Sequence, residues 1–181
     1  MKNTIALAVL LIPVFSYAAE FSKVQPEQSG ISFVSKQMNV PVEGVFKRHA
    51  ATIRINPAKP EKGTARIEID LASIDAGSTE ANDEVKGKNW FNVTEFPKAE
   101  FVSSSLKSLG SGQFEANGKL TIKGKTKDVK APFTAKEEKG MLNIIGSFNI
   151  KRLDFDLGSG LWGDTSVVSD VVQVNFHFLL K

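Results

Sequence analysis

Hydrophobic residues recur along this chain with a period of two. Ala65-Arg66-Ile67-Glu68-Ile69-Asp70-Leu71 alternates strictly, apolar on odd numbers and charged on even ones. Phe114, Ala116, Gly118, Leu120 and Ile122 share one face, opposite Glu115, Asn117, Lys119, Thr121 and Lys123. Val172, Val174, Phe176, Phe178 and Leu180 do the same against Gln173, Asn175 and His177. Looser runs cover 31–38, 40–46, 51–56, 101–106, 129–135 and 142–150. Half-buried strands require this alternation and helices do not produce it. Gly and polar residues separate the runs at 57–63, Gly110-Ser111-Gly112, Lys123-Gly124-Lys125 and 137–140. Such short spacing predicts consecutive antiparallel strands. Only Ser78 to Asn89 breaks the rhythm. Ser78 or Thr79 can cap a helix there, with Glu80, Asp83 and Glu84 early and Lys86 and Lys88 late, as the helix dipole favours.

Eight or so strands, each with one apolar face, cannot be covered by one short helix. Closing the sheet on itself buries those faces and removes both edges. The expected fold is therefore all-β, an antiparallel eight-stranded barrel with one short helix. A barrel of that size either fills its lumen with side chains or leaves room for one small ligand. The inward rows include Ala65, Ser103, Ala116, Gly118, Ala131 and Gly146. These small residues leave volume, to be closed by opposing large side chains or taken by a guest.

Length and composition narrow the chemistry. The chain has 181 residues, enough for one domain, and no cysteine. The missing cysteine excludes a disulfide scaffold, a thiol nucleophile and an iron–sulfur centre. Lys2, the apolar run from Ile5 to Phe15 and the small residues of Ser16-Tyr17-Ala18 predict a signal peptide over residues 1–18. Residues 19–181 then form the barrel domain, periplasmic and not membrane-spanning, because the leading run is too short to cross a bilayer comfortably. Losing Lys2 leaves 22 basic against 20 acidic residues, too even a balance for nucleic acid. Lys119, Lys123, Lys125, Lys127 and Lys130 cluster on outer strand faces, where a solvated edge or contact with anionic lipid heads explains them.

The two histidines, His49 in the basic turn Lys47-Arg48-His49 and His177 on the polar face of the last strand, make a poor metal site, and none is expected. Gly-x-Ser-x-Gly, His-Glu-x-x-His and P-loop motifs are absent from the sequence. Asp154 and Asp156 share one strand face and are the best acid pair, but the expectation is that the protein is not an enzyme.

Several segments resemble one family. Ile31-Ser32-Phe33, Val42-Glu43-Gly44-Val45-Phe46, Leu71-Ala72-Ser73-Ile74-Asp75-Ala76-Gly77, Trp90-Phe91-Asn92 with Phe96-Pro97, Gly118-Lys119-Leu120-Thr121-Ile122 with Gly124, and Arg152-Leu153-Asp154-Phe155 are similar in order and spacing to the YceI-like proteins. The likeness runs from about Ser29 to Leu180. It implies a secreted lipocalin-like barrel around an elongated apolar pocket, some members of which bind polyisoprenoids such as quinone precursors, or other long lipids. Three positions depart from the family pattern. Asn82-Asp83-Glu84-Val85 stands where Arg-Asp-Glu-His is frequent, and Gln37 and Lys123 stand where histidines are common.

The candidate ligand wall takes Phe33 and Phe46 from the first two runs, Ile53 and Ile55 from the third, and Ile67 and Ile69 from the fourth. Phe101, Leu120, Phe148 and Phe176 come from later strands, Trp90 and Phe91 from behind the helix, and Arg152, Phe155 and Trp162 from the stretch before the last strand. Parity aims Arg152 inward with Ile144, Gly146, Phe148 and Ile150, so its charge needs an acid such as Asp83 or Asp164, a polar ligand head, or a local turn toward water. Trp162 lies in the glycine-rich loop 158–163 and suits a mobile lid. The expected function is binding or carriage of a long apolar ligand, polyisoprenoid, quinone precursor or fatty-acid-like lipid, with no cofactor beyond that guest. A side-chain-filled stress or interaction protein is the alternative, and a homodimer is left open.

Overall fold

In the computed structural model, which describes residues 19–181, every long run becomes a strand. The signal-peptide expectation for 1–18 lies outside the described residues. The strands are β1 (Gly30–Gln37), β2 (Val40–Phe46), β3 (His49–Arg54), β4 (Thr64–Asp70) and β5 (Ile74–Asp75), followed by β6 (Lys98–Gly110), β7 (Gln113–Ile122), β8 (Lys125–Glu138), β9 (Met141–Lys151) and β10 (Val171–Leu180). One helix, α1 (Thr79–Lys86), separates β5 from β6. Its cap is Ser78, whose hydroxyl accepts from Ala81 N at 3.1 Å.

All pairings are antiparallel, in the order β3-β4-β6-β7-β8-β9-β10-β1-β2-β5. The two ends of that order are joined through the chain. β3 continues β2 beyond Lys47 and Arg48, and β5 continues β4 beyond the 3-10 turn Leu71–Ser73. Phe46 pairs with Ile74 on one side of this bend and His49 with Ile69 on the other. Ser73 holds the bend, accepting from Arg48 N at 3.0 Å and donating to Asp70 O at 2.6 Å. Ten strands thus appear where eight were expected, because two of the eight are bent and each is divided in two. Counted as bent strands, they close a ring.

Four hairpins turn on two residues with positive φ: Met38 and Asn39, Ser111 and Gly112, Lys123 and Gly124, Lys139 and Gly140. That geometry matches the right-handed twist of the flanking strands; glycine in the second position removes its steric cost in three of the four, and Asn39, a residue that tolerates positive φ, holds that position in the first.

The interior divides into two apolar clusters. One gathers Phe114, Phe133, Leu142, Ile144, Phe178 and Leu180. Phe21 closes that end of the barrel, exchanging backbone hydrogen bonds with Ile55 at 2.9 and 3.0 Å and remaining only 3% exposed. The other cluster gathers Leu71, Ala99, Leu120, Ile122, Ile150, Phe155 and Leu157, with Trp90 and Phe91 against it. Among the described residues no helix is long and apolar enough to cross a membrane.

Candidate functional site

The inward glycines decide how the lumen is shaped. A Cβ at Gly44 would stand 2.3 Å from the ring of Phe33, one at Gly118 2.5 Å from Phe101, and one at Gly146 2.3 Å from Phe176. Each ring therefore packs against a glycine of the neighbouring strand, in the space a Cβ would take. At Gly118 and Gly146 the volume that small residues were expected to leave is taken by a ring of the adjacent strand, and Gly44 adds a third such place.

A cavity of about 180 Å³ nevertheless remains along the axis. A single water needs only about 10–15 Å³ on that scale, so the space suits a guest much larger than one water. Thirty residues line it, and the only polar groups their side chains carry are the Ser35 hydroxyl and the Trp90 indole N–H. Twelve sequence-derived candidates, Phe33, Phe46, Ile53, Ile55, Ile67, Ile69, Trp90, Phe91, Phe101, Leu120, Phe148 and Phe176, stand in this wall. Sequence reasoning did not single out Leu71, Ile74, Val85 or Leu157, which also line it. Leu71 closes the alternating run of β4 and was left out of the wall although its parity was right; Ile74 lies beyond the β4–β5 bend, Val85 is on α1 and Leu157 follows a 3-10 turn, so strand alternation marked none of these three.

Three candidates stand apart from the wall. Phe155 is buried in the second apolar cluster, in the 3-10 turn Arg152–Phe155. Arg152 is 1% exposed and points at neither an acid nor the lumen. Its Nε donates to Ser169 O at 3.1 Å, Nη1 to Leu157 O and Gly158 O at 2.7 and 3.0 Å, and Nη2 to Trp162 O and Val168 O at 2.7 and 2.8 Å. All five N–H donors are used, each by a backbone carbonyl. The expected ion pair with Asp83 or Asp164 is replaced by this cage, which satisfies the guanidinium's geometry without a carboxylate. Burial lowers the Arg152 pKa from its ordinary value, and Asp170 opposes that shift.

Trp162, expected in a mobile loop, is found at the rim beside α1. It belongs to the 3-10 turn Gly160–Gly163, and its Nε1 donates to Glu84 Oε1 of α1 at 2.7 Å. Its ring centroid lies 6.0 Å from that of Trp90, whose own ring sits 5.5 Å from the Arg152 guanidinium. The connector behind α1 is fastened nearby. Gly158 N and Ser159 N donate to Asn89 O at 2.7 and 2.9 Å, and Lys123 Nζ donates to Lys88 O at 2.9 Å and Asp156 O at 2.8 Å. Desolvation lowers the Lys123 pKa from its ordinary value. α1 and residues 87–97 thus form a cover over one end of the lumen, tied down by Trp162, Lys123 and the 158–159 backbone.

Among the described residues, two polar side chains have buried ring nitrogens without hydrogen-bond partners. Trp90 Nε1 is one, and both ring nitrogens of His49 are the other. Such a donor costs about 1–3 kcal/mol until it finds an acceptor. His49 is the first residue of β3, on the inward side with Ala51 and Ile53, and its ring meets Phe178 edge-on at 6.0 Å. The odd-number parity of β3 carried this signal, whereas the turn reading missed it. Burial pulls the His49 pKa below 6.5. His177 pairs on the outside with Asn143 Oδ1 at 2.8 Å. Asp154 and Asp156 do not share a strand face; they lie in and just after a 3-10 turn, where Lys125 pairs with Asp156 at 2.6 Å.

Comparison with known proteins agrees with this architecture. The model of the YceI-like domain matches residues 23–180. The crystal structure of BcnA from Burkholderia cenocepacia superimposes with a TM-score of 0.86 at 43% identity, covering 88% of this chain and 100% of that one. A polyisoprenoid binding domain from Saccharophagus degradans, implicated in plant cell wall breakdown, superimposes with a TM-score of 0.68 at 18% identity over 91% of this chain and 99% of its own. The UPF0312 protein of Ectopseudomonas mendocina is 26% identical over 185 residues, 96% of this chain and 97% of that protein. With the UPF0312 protein of Pseudomonas savastanoi pv. phaseolicola, 33% identical over 94 residues, the chain spans about half the relative's length.

Proposed function

Since the chain belongs to the YceI-like domain family, we propose that it is a secreted, periplasmic protein that binds or carries a long apolar molecule in its lumen and catalyses no reaction. The observation that carries the reading is the lumen itself, a cavity with thirty lining residues and two polar side-chain groups. Burial of each guest methylene contributes about 0.8 kcal/mol, reduced by the ordering of a flexible chain. A polyisoprenoid, a quinone precursor or a fatty-acid-like lipid fits that chemistry, and the shared fold of the Saccharophagus degradans domain supports the first. A barrel filled by its own side chains, acting in stress or protein interaction, is the second reading, favoured locally by the rings seated on Gly44, Gly118 and Gly146.

Titration with a long-chain isoprenoid alcohol tests the proposal. Binding is expected to be saturable, to alter the emission of Trp90 or Trp162, and to disappear in Phe101→Asp. A flat titration in the wild-type protein, with no guest displaceable by the alcohol, supports the filled barrel instead.

A further inference from the structure

Large apolar side chains exposed on the outside are few, and half of them gather at one end of the barrel. Of the eight among the described residues, Met38, Val40, Leu161 and Val171 belong to the covered end. We propose that these residues form a lip that docks the mouth of the lumen onto a phospholipid bilayer. The inference rests on the lipid-binding reading above and adds the surface at which a guest is exchanged.

Met38 is 73% and Val40 62% exposed at the tip of the β1–β2 hairpin, and Leu161 is 96% exposed in the 3-10 turn Gly160–Gly163. Backbone groups hold the two tips side by side. Met38 N donates to Val167 O at 2.7 Å and Ser169 N to Lys36 O at 2.9 Å, while Arg152 Nη2 joins Trp162 O and Val168 O. Both tips are turns, so their side chains stand out from the surface. A flat protein face leaves such points wet on their flanks, whereas lipid closes around them.

The lip is continuous with the lumen. Phe46, Gly44, Val42 and Val40 share the inward side of β2, paired with Ile31, Phe33, Ser35 and Gln37 of β1. Phe46, Phe33 and Ser35 line the cavity, Val42 is half-buried and Val40 is exposed. One apolar row thus runs from the lumen to the lip, and a guest chain moving along it passes between bilayer and cavity without crossing water. Charge fits the same partner. Lys36 on β1 and Lys151 on β9 stand on either side of β10, where Lys151 pairs with Val171 in the ladder. Neither lysine side chain has a partner among the described residues. The acids of the adjoining connector are engaged, Asp164 by Ser166 N and Oγ at 2.8 and 2.6 Å and Asp170 by Leu153 N at 3.0 Å. Two unpaired lysines beside one unpaired acid, Asp154, leave cations for lipid phosphates.

Vesicle flotation tests the proposal, with phosphatidylcholine vesicles and with vesicles of phosphatidylcholine and phosphatidylglycerol mixed. The wild-type protein is compared with the double variant Met38→Ser, Leu161→Ser, which shares residues 1–18, so any binding through that segment cancels. The wild type is expected to bind both vesicles, and the mixed ones about threefold or more tightly. The double variant is expected to lose about fivefold or more on both while its denaturant midpoint holds, since both side chains are exposed. Lys36→Gln with Lys151→Gln is expected to abolish only the preference for the mixed vesicles. Equal flotation of the wild type and the double apolar variant overturns the proposal, and so does no flotation of the wild type. A dimer that the same double variant dissociates, with no vesicle binding, assigns the lip to a second copy and overturns it too. The isoprenoid alcohol titration separates this from the reading beneath it. Neither Met38 nor Leu161 lines the cavity, so the double variant is expected to bind the alcohol as the wild type does. A wild type that floats with vesicles but takes up no alcohol refutes the lipid-binding reading and leaves the docking face standing.

Discussion

At the scale of single residues, this protein solves burial problems with backbone groups and small side chains. Arg152 is the strongest case. Lysine offers three donors in place of five and cannot copy the planar fork, so Arg152→Lys leaves at least two carbonyls without that partner. A stability loss of about 2–5 kcal/mol is expected in denaturant unfolding, and a loss below about 0.5 kcal/mol would show the cage to be incidental. Gly146 is the complementary case. A methyl there meets Phe176, Pro132 O at 2.5 Å and Phe133 Cβ at 2.8 Å, so Gly146→Ala is expected to cost about 1–3 kcal/mol by overpacking. His49 adds a pH dependence. Its folded pKa lies below the ordinary 6.5, so the unfolded chain takes up the proton first. Its contribution is therefore complete above about pH 6.5 and declines as pH falls from there toward the folded value. Unfolding free energies of the wild type and His49→Phe, compared between about pH 7.5 and 5, should diverge in favour of the variant on the acid side. Parallel curves would contradict the assignment. Alternation in the sequence revealed which way Ile67, Ile69 and Phe101 face. It could not reveal the Arg152 partners, because those carbonyls come from irregular backbone between 157 and 169 that carries no periodic signal.

At the scale of elements, the cover over the lumen is the part with a mechanism. α1 brings Val85 to the wall and Glu84 to the rim, and Trp162 ties the helix to the 3-10 turn that Arg152 also holds. Capping and charge order made α1 legible from Ser78 and Glu80. The latch was not, since Glu84 and Trp162 are far apart in sequence and nothing local marks them as partners. Trp162→Ala removes both the hydrogen bond and the contact with Trp90. It is expected to speed release of a bound apolar guest by about tenfold while the denaturant midpoint moves little. An unchanged off-rate with a stability loss of about 3–5 kcal/mol would make Trp162 a core residue instead of a latch. Glu84→Gln, which keeps an acceptor, is expected to retain slow release.

At the scale of the whole molecule, the period of two and the scarcity of helix were enough to read a closed antiparallel barrel. The bend that divides two strands was hidden, because Lys47-Arg48-His49 read as a basic turn and Leu71 as the end of an alternating strand, while the contact of Ser73 with Arg48 that joins them spans 25 residues. Whether the lumen is open was also beyond pattern alone. It depends on three phenylalanine rings packing against glycines of neighbouring strands, a matter of register. The central claim is that the remaining space holds a lipid. Solvent extraction of the purified protein followed by mass spectrometry, run beside the lumen-charged variant Ile69→Asp, tests it most directly. The account predicts a long-chain lipid in the wild-type extract, approaching one molecule per chain, and its absence from the variant. Equal amounts of lipid in both extracts, or none in the wild type even after incubation with isoprenoid alcohol, would contradict it.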